Sequence, residues 1–374
     1  MSPGAHSRLA GPAVRPEGAP ASALPADALP QAPAATASDA PQRDPQARRP
    51  RISVVVPTHG RPALLLRCLQ ALTAQTLAPA DYEILVVDDE RSDVTHAAVE
   101  AFALGLPSGL LRYLRADSGH GPAVARNTGW RAAAAEVVAF TDDDTIADPG
   151  WLDAGLFAMA QGRWVAVGGR VVVPRPDDAD ERPTDHELMT RGLETAEFVT
   201  ANAFVRRAAL QQLQGFDERF RRAWREDSDL QFRLEAVGEV GRCDAAMVLH
   251  PVRPERWGVS LRQQKNVFYD ALLYRKHPRA YRERVHPVPP WDYFAIVALV
   301  LAAPLLALAG APATAVAALL IALALIAAFA WRRLRPTTRR PAHVIEMLAT
   351  SALIPFLAVY WRLRGAWHFR VAFV

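Results

Sequence analysis

The run Ala139-Phe140-Thr141-Asp142-Asp143-Asp144 sets three carboxylates directly behind an apolar segment, residues 137–140. In an extended chain alternate side chains share a face, so Asp142 and Asp144 can meet one cation while Asp143 points away. A magnesium-type ion suits that pair. It takes oxygen ligands, is often held by one or two carboxylates, and fills its remaining positions with water and substrate phosphates. The ligand implied is a diphosphate. The same cluster also reads as a solvated loop, or as a cap for the segment beginning near Pro149. A second acidic group, Glu226-Asp227-Ser228-Asp229, comes just before Leu230, Leu234 and Val237 and stands at a helix start.

Short apolar runs alternate with amphipathic stretches from residue 51 onward, which predicts βαβ units and an α/β fold with a largely parallel sheet. Strands are expected over 52–56, 82–87, 110–114 and 137–140, and helices over 62–76, with Leu65, Leu69 and Leu72 on one face, and 122–135. The second strand also ends in acid, Asp88-Asp89. Ligands of open α/β sheets bind beyond the carboxyl ends of the strands, so Thr58, Asp88, Asp89 and the three aspartates are expected to converge. After residue 151 the pattern predicts a strand over 164–173, a polar acidic loop over 174–187 and a strand over 198–205, a half expected to hold a second substrate.

With 374 residues, 51% hydrophobic and 22% charged, the chain has material for more than one domain and a full core. Residues 1–50 are rich in Ala and Pro without apolar periodicity and are expected to be a disordered tail. No apolar stretch follows a basic start as in a signal peptide, so the tail is expected to be retained and cytoplasmic. A pI near 9.3 raises the question of nucleic acid. The basic residues are nearly all Arg, Lys265 and Lys276 being the only lysines, and they form no single stripe, so no nucleic-acid partner is expected. Cys68 and Cys243 lack metal spacing and fit a reducing compartment as core residues.

Two nearly charge-free segments, 294–309 and 315–330, flank Gly310-Ala311-Pro312 and predict a transmembrane hairpin over 293–331, anchored by Trp291, Tyr293 and Trp331. A buried hairpin in a soluble domain is the alternative. Arg332, Arg333, Arg335, Arg339 and Arg340 follow and are expected in the cytoplasm, together with residues 1–290. The stretch 344–360 contains Glu346 and Pro355 and precedes Arg362, Arg364 and Arg370. A third crossing would carry those arginines outside, so a re-entrant or interfacial helix is favoured, with 332–374 forming an Arg-rich loop and that helix. The connector 256–292 is basic and helical. Its Arg275, Lys276, His277, Arg279, Arg282 and Arg284 face either anionic lipid or solvent.

Val54-Val55-Val56-Pro57-Thr58, Val86-Val87-Asp88-Asp89, Ala125-Arg126-Asn127-Thr128-Gly129, Phe140-Thr141-Asp142-Asp143-Asp144 and Arg225-Glu226-Asp227-Ser228-Asp229-Leu230, in this order, resemble the family 2 glycosyltransferases over about residues 51–255. The resemblance implies the GT-A fold, Rossmann-like and mostly parallel, with a nucleotide-diphosphate-sugar donor and inverting transfer. By the same resemblance Pro57 and Thr58 line the nucleoside pocket, and Asp88 or Asp89 accepts from the base. Arg126, Asn127, Asp142 and Asp143 lie on the donor. Asp142 and Asp144 hold Mg²⁺ or Mn²⁺, with His250 a further ligand, and Asp227 is the catalytic base, with Glu226 and Trp224 on the acceptor side. The plainer readings are a helix-face Arg, a capping Asn, a structural His and two helix-capping acids. Glu90-Arg91 replaces the small pair usual after the paired acids, and Arg253-Pro254-Glu255-Arg256-Trp257 lacks the Gln of processive relatives, so no polymerisation is inferred.

The sequence thus predicts a metal-dependent inverting glycosyltransferase, multi-pass in the cell (inner or plasma) membrane, with a cytoplasmic catalytic domain and a membrane lipid or lipid-linked glycan as acceptor. Two rivals are a dinucleotide oxidoreductase, whose fingerprint Gly119-His120-Gly121-Pro122-Ala123-Val124 is poorly met, and a non-catalytic nucleotide-sugar-binding scaffold.

Overall fold

The computed structural model describes residues 49–116, 119–175 and 182–373. All but the last two residues of the expected tail, and 176–181 of the expected polar loop, lie outside the described residues.

The chain begins β1 (Ile52–Thr58), α1 (Pro62–Thr73), β2 (Tyr82–Asp88), α2 (Asp93–Ala103), β3 (Leu111–Arg115), α3 (Pro122–Ala132) and β4 (Val137–Thr141). It continues through β5 (Ile146–Ala147), α4 (Trp151–Ala160), β6 (Trp164–Val172), α5 (Asp185–Thr195), β7 (Asn202–Arg206), α6 (Arg207–Leu213), α7 (Glu226–Glu235) and β8 (Glu239–Leu249). Six helices follow: α8 (Val259–Gln263), α9 (Val267–Lys276), α10 (Pro278–Arg284), α11 (Trp291–Leu308), α12 (Pro312–Leu334) and α13 (Pro341–His368).

Strands β1, β2 and β4 are buried along their whole length, which is why they read as unbroken apolar runs instead of alternating ones. They lie in one eight-stranded sheet of order β3-β2-β1-β4-β7-β6-β8-β5. The β3-β2-β1-β4 half is parallel, as the βαβ pattern predicts, whereas β7 enters antiparallel to both β4 and β6, so the sheet is mixed. Helix α1 buries Leu65, Cys68, Leu69 and Leu72 on one face of the sheet, beside α2 and α4. Helices α3, α6 and α7 cover the other face. Gly129 of α3 is required there, since a Cβ would sit 2.3 Å from Val55 Cγ1.

Three elements depart from expectation for local reasons. Helix α1 stops at Thr73, and beyond it Gln75 Nε2 and Thr76 N donate to the carbonyls of Asp148 and Pro149 at 2.8 and 2.9 Å. Helix α2, weak in apolar periodicity, is set by Ser92, whose hydroxyl accepts from Thr95 N. The last residues of the expected loop 174–187 are instead the start of α5, where Thr184 and Glu187 form a reciprocal capping box.

Helices α11 and α12 pack through the small residues Ala303, Ala315 and Ala318 and expose Leu301, Leu305, Leu320 and Leu323. These two helices and α13 are each long and apolar enough to cross a membrane, with mean hydropathies of 2.0, 2.6 and 1.7. The stretch 344–360 is part of a longer unbroken helix, α13, that runs through Pro355. Near its start Glu346 Oε1 accepts from Gly258 N at 2.6 Å, and near its end Gly365 packs on Phe268 while Arg275 Nη1 donates to Phe369 O at 2.6 Å. Helix α13 therefore touches the α8–α9 region near both of its ends.

The basic connector faces inward more than its composition suggests. Lys276 Nζ lies 2.7 Å from Asp217 Oδ2 and 2.5 Å from Asp229 Oδ1, and Arg284 pairs with Glu197 and Glu235. Arg279, paired only with Glu283 and 90% exposed, keeps a solvent-facing position.

Candidate active site

Strand β4 delivers Asp142, Asp143 and Asp144 at its carboxyl end, and the antiparallel pairing Ile146↔Leu249 between β5 and β8 brings His250 beside them. Ligand atoms of Asp142, Asp144 and His250 all lie within 4.8 Å of one another. His250 Nε2 is 3.6 Å from Asp144 Oδ1, and its buried Nδ1 has no hydrogen-bond partner among the described residues. Two carboxylates and an imidazole on facing strands form a donor set that a divalent ion fits, with positions left for water and phosphate oxygens. The turn itself is fixed by Thr145 Oγ1, which donates to Asp142 O at 2.8 Å.

Asp143 turns the other way, as the strand alternation predicts. It is wholly buried, accepts from Thr58 Oγ1 at 2.7 Å and pairs with Arg61 Nη2 at 2.9 Å. Burial pushes its carboxyl up to about 6 against the opposing pull of Arg61 and Thr58. Asp143, expected on the donor, has its oxygens on the end of β1 and the start of α1. Asp142 behaves oppositely. Burial acts to raise its pKa, but the charges of Arg126 and His250 outweigh it and hold the carboxyl below the ordinary range.

Arg126 was expected on the nucleotide, and the structure makes it a bridge. Only 3% exposed, it donates through Nη2 to Asp142 Oδ1 at 2.8 Å and through Nη1 to Glu226 Oε1 at 3.0 Å. The metal-type cluster and the start of α7 are thereby tied across the cleft by one planar cation, a geometry that a lysine does not provide. Glu226, expected on the acceptor side, is itself buried. Burial, then the adjacent Asp227 charge, push it up to about 7 against Arg126. Asp227 is half-buried, accepts from Ser228 N at 2.7 Å, and is raised by burial.

This second acidic group is set by distant residues. Arg225, just before α7, adopts a left-handed conformation with φ +74°. It is held there by Asp270 of α9, whose Oδ1 accepts from Arg225 Nε at 2.7 Å and from Trp224 Nε1 at 3.0 Å. Trp224 also stacks under the Arg225 guanidinium, 4.6 Å from its ring centre. Asp229 is fully buried among Arg233, Lys276 and His277. Burial alone would raise it, yet the hydrogen bond from His277 and the charges of Arg233 and Lys276 keep it below the ordinary carboxylate range.

On the adjacent strands, at the same edge of the sheet, Pro57 and Thr58 close β1 opposite Val87 and Asp88. Asp88 accepts from Glu90 N and Ser92 N at 2.9 Å each and from Tyr113 OH at 2.8 Å, so it holds the turn into α2. Asp89 accepts from Gly121 N at 2.6 Å and lies 2.8 Å from His59 Nδ1. Gly121 has φ +117°, and a Cβ there would stand 2.8 Å from Arg221 O, so the chain can pass Asp89 only as glycine. Asn127, expected near the nucleotide, donates through its amide to Phe216 O and Glu218 Oε1 while its oxygen accepts from Trp130 Nε1 and Phe216 N, locking the 215–218 loop.

Sequence reasoning missed Arg61, Arg253 and Asp270. Arg253 Nε lies 2.9 Å from Asp144 Oδ2. Its only signal in the sequence is that it stands three residues beyond His250. Cys68 and Cys243 are free thiols; Cys68 packs in the core under the Asp142 turn, and Cys243 is partly buried.

A mixed α/β sheet with acidic groups gathered beyond the carboxyl ends of β2 and β4, followed by long apolar helices, defines the class: a membrane-associated enzyme of the GT-A fold. The chain belongs to the glycosyltransferase family 2 group, the model of "Glycosyl transferase family group 2" matching residues 137–360 and that of "Glycosyl transferase family 2" residues 53–214. It is 30% identical to a validoxylamine A glucosyltransferase of Streptomyces hygroscopicus subsp. limoneus over 56% of this chain and 51% of that one. It is 28% identical to glycosyltransferase AglE of Haloferax volcanii, covering 58% of this chain and 72% of that protein. The chain thus spans about half the length of the first of these curated relatives. In fold it is similar to a mannosyltransferase of Pyrobaculum calidifontis solved with GDP-mannose and Mn²⁺, with a TM-score of 0.53 and 20% identity over 86% of this chain and 88% of that one.

Proposed function

We propose that the protein transfers a sugar, with inversion, from a nucleoside-diphosphate sugar to a hydroxyl of a membrane-linked acceptor. The observation that carries the reading is the Arg126 bridge, which sets Asp227, one residue from Glu226, across the cleft from Asp142. Asp142, Asp144 and His250 would hold Mg²⁺ or Mn²⁺, which when bound neutralises charge on the departing diphosphate. The chain's own residues do the rest. Arg126 keeps Asp142 ionised, and Arg253 fixes the Asp144 carboxylate. Asp227 takes the proton from the acceptor hydroxyl as that oxygen attacks the sugar carbon from the side opposite the diphosphate, and this single displacement inverts the anomeric centre. Thr58 and Asp89 stand at the nucleoside end, with Asp88 behind them as a loop-holding residue. The fold neighbour with GDP-mannose and Mn²⁺ supports the donor class and the metal.

In this reading residues 51–255 are the transferase domain, 256–292 the connector and 293–331 a transmembrane hairpin. The catalytic domain lies on the cytoplasmic side, beside the arginines that follow α12. Helix α13 lies along the membrane surface, because its contacts with α8 and α9 near both ends keep it beside the catalytic domain.

Detergent-solubilised protein incubated with a panel of nucleotide sugars, membrane lipid extract and Mg²⁺, Mn²⁺ or chelator tests this. Release of nucleoside diphosphate from one donor, abolished by chelator and by Asp142→Ala, is expected. No release from any donor, together with donor binding unchanged in Asp227→Asn, would favour the scaffold reading instead.

A further inference from the structure

A cavity of about 350 Å³ lies where the capped start of α5, the loop before α8 and the first turns of α13 meet. Asp185, His186, Glu255, Ser260, His343 and Glu346 are among its lining residues. Arg253 is in its wall as well, so the cavity adjoins the Asp142, Asp144 and His250 group through the Arg253–Asp144 pair. It also lies level with the end of α12. Arg333, near the end of that helix, reaches Asp185 Oδ2 at 2.6 Å and the hydroxyls of Thr350 and Ser351 of α13 at 2.9 Å each. With α11 and α12 crossing the membrane as proposed above, a membrane-tethered molecule would present its head group beside this end of α12.

Three polar atoms in the wall, from three different helices, have no hydrogen-bond partner among the described residues: His186 Nδ1, Ser260 Oγ and His343 Nε2. Ser260 and His343 are each only 8% exposed. Buried polar atoms are ordinarily paired, so a cavity that gathers several unpaired ones asks for a polar occupant. The charges around it are already engaged: Asp185 with Arg333, Glu255 with Arg262, Glu187 with Thr184 N, and Glu346 with Gly258 N. Those four carboxylates outnumber the two arginines of the wall, Arg253 and Arg256, which disfavours a phosphate. Hydroxyl groups suit the wall better, since each can donate to a carboxylate and accept from a histidine, serine or arginine.

We infer that this cavity is the subsite for the saccharide head of the acceptor, gripped through uncharged hydroxyls. The inference rests on the glycosyl-transfer reading above and gives its acceptor a chemistry.

The test uses the 374-residue chain in lipid nanodiscs with Ser260→Ala and His343→Leu. Transfer into membrane lipid extract is measured with octyl β-glucoside, octyl β-galactoside, octyl N-acetyl-β-glucosaminide or inorganic phosphate as competing probes. The apparent KM for the extract is expected to rise about fivefold in each variant, while the KM for the nucleotide sugar stays within about twofold. At least one octyl glycoside should compete, less well in the variants, and phosphate should not. Competition by phosphate and by no glycoside would make the cavity an anion site and overturn the inference. An unchanged KM for the extract in Ser260→Ala would mean a water-filled cavity, and would do the same even if His343→Leu fails to fold. Absence of any transfer by the native protein would sink the glycosyl-transfer reading instead, and direct titration of native and Ser260→Ala protein with the octyl glycosides would still decide the cavity.

Discussion

The two acidic groups of the cleft are alike in composition and differ in how they are held. Asp142, Asp143 and Asp144 end a strand, and their directions follow from sheet geometry: the outer pair faces the cleft and Asp143 faces Thr58 and Arg61. Glu226, Asp227 and Asp229 begin a helix, and the directions of Glu226 and Asp229 are set largely by side chains about 50 to 100 residues away in sequence, Arg126 for the first and His277 for the second. Within each group neighbouring carboxyls are driven apart in pKa. Asp142 and Asp229, beside cations, fall below the ordinary range, while Asp143 and Glu226 are raised by burial to about 6 and about 7. Residue type alone assigns none of these roles; the neighbouring charge and depth do.

The contrast is broken most sharply at Asp227. Asp227→Asn should lower kcat by about 10²–10⁴-fold, the usual contribution of a general base, and leave the donor Kd nearly unchanged by calorimetry. Retained transfer would remove Asp227 from the mechanism and leave the helix start as a cap.

The next largest effect is at the bridge between the groups. Arg126→Met leaves Asp142 and the buried Glu226 without their shared cation, which should cost about 3–5 kcal/mol of stability, read as a fall in the thermal or urea midpoint. Replacing both Arg126 and Glu226 by apolar residues should recover much of that loss without restoring activity. Equal stability of the single variant and the native protein would mean that the two groups are not coupled through Arg126.

Much of the first group was legible in the sequence, because strand alternation and the carboxyl-end rule are local and the β1-to-β4 pattern is strongly apolar. The second group was legible as acids at a helix start, and its chemical role only as a family motif. Its supports, Asp270, Lys276 and His277, sit in a connector whose basic composition suggested lipid, and no periodicity links them to residues 224–229. The partners of Asn127 and Arg126 were hidden for a related reason: their motif marks them as donor-binding, but a carboxamide that locks the 215–218 loop and a guanidinium that bridges Asp142 and Glu226 are facts of tertiary packing. The hairpin was legible from hydropathy, whereas the path of α13 depends on the contacts of Glu346 and Gly365 with α8 and α9.

Acidity offers a subtler way to sharpen the comparison. Asp227 is raised above its ordinary 3.8, and a base is lost when it takes a proton, so kcat/KM should fall as pH drops through a limb centred above 3.8. Glu226 is raised as well, to about 7, by burial and then by the Asp227 charge, and becomes neutral when it takes a proton. Glu226→Gln mimics that protonated neighbour and should therefore keep kcat within about tenfold of native while the acid limb persists. Loss of the limb in Glu226→Gln would transfer the base role to Glu226.

The smallest expected effect separates the inward and outward faces of the connector. Lys276 is shared by Asp217 and Asp229, both held below the ordinary range, whereas Arg279 meets only Glu283 in solvent. Lys276→Met should cost about 1–3 kcal/mol in urea unfolding, and Arg279→Ala no more than about 0.5 kcal/mol. The sign with pH follows from the depressed carboxyls. Their contribution is fully present above the unfolded value of about 4 and drains away as pH falls below it toward the folded values. The native protein should accordingly lose stability below about pH 4 more steeply than Lys276→Met, in which those carboxyls have lost one cation. Parallel pH profiles for the two would mean that Arg233 and His277 alone hold Asp229, and that the connector steadies α7 through His277 and Asp270 and not through Lys276.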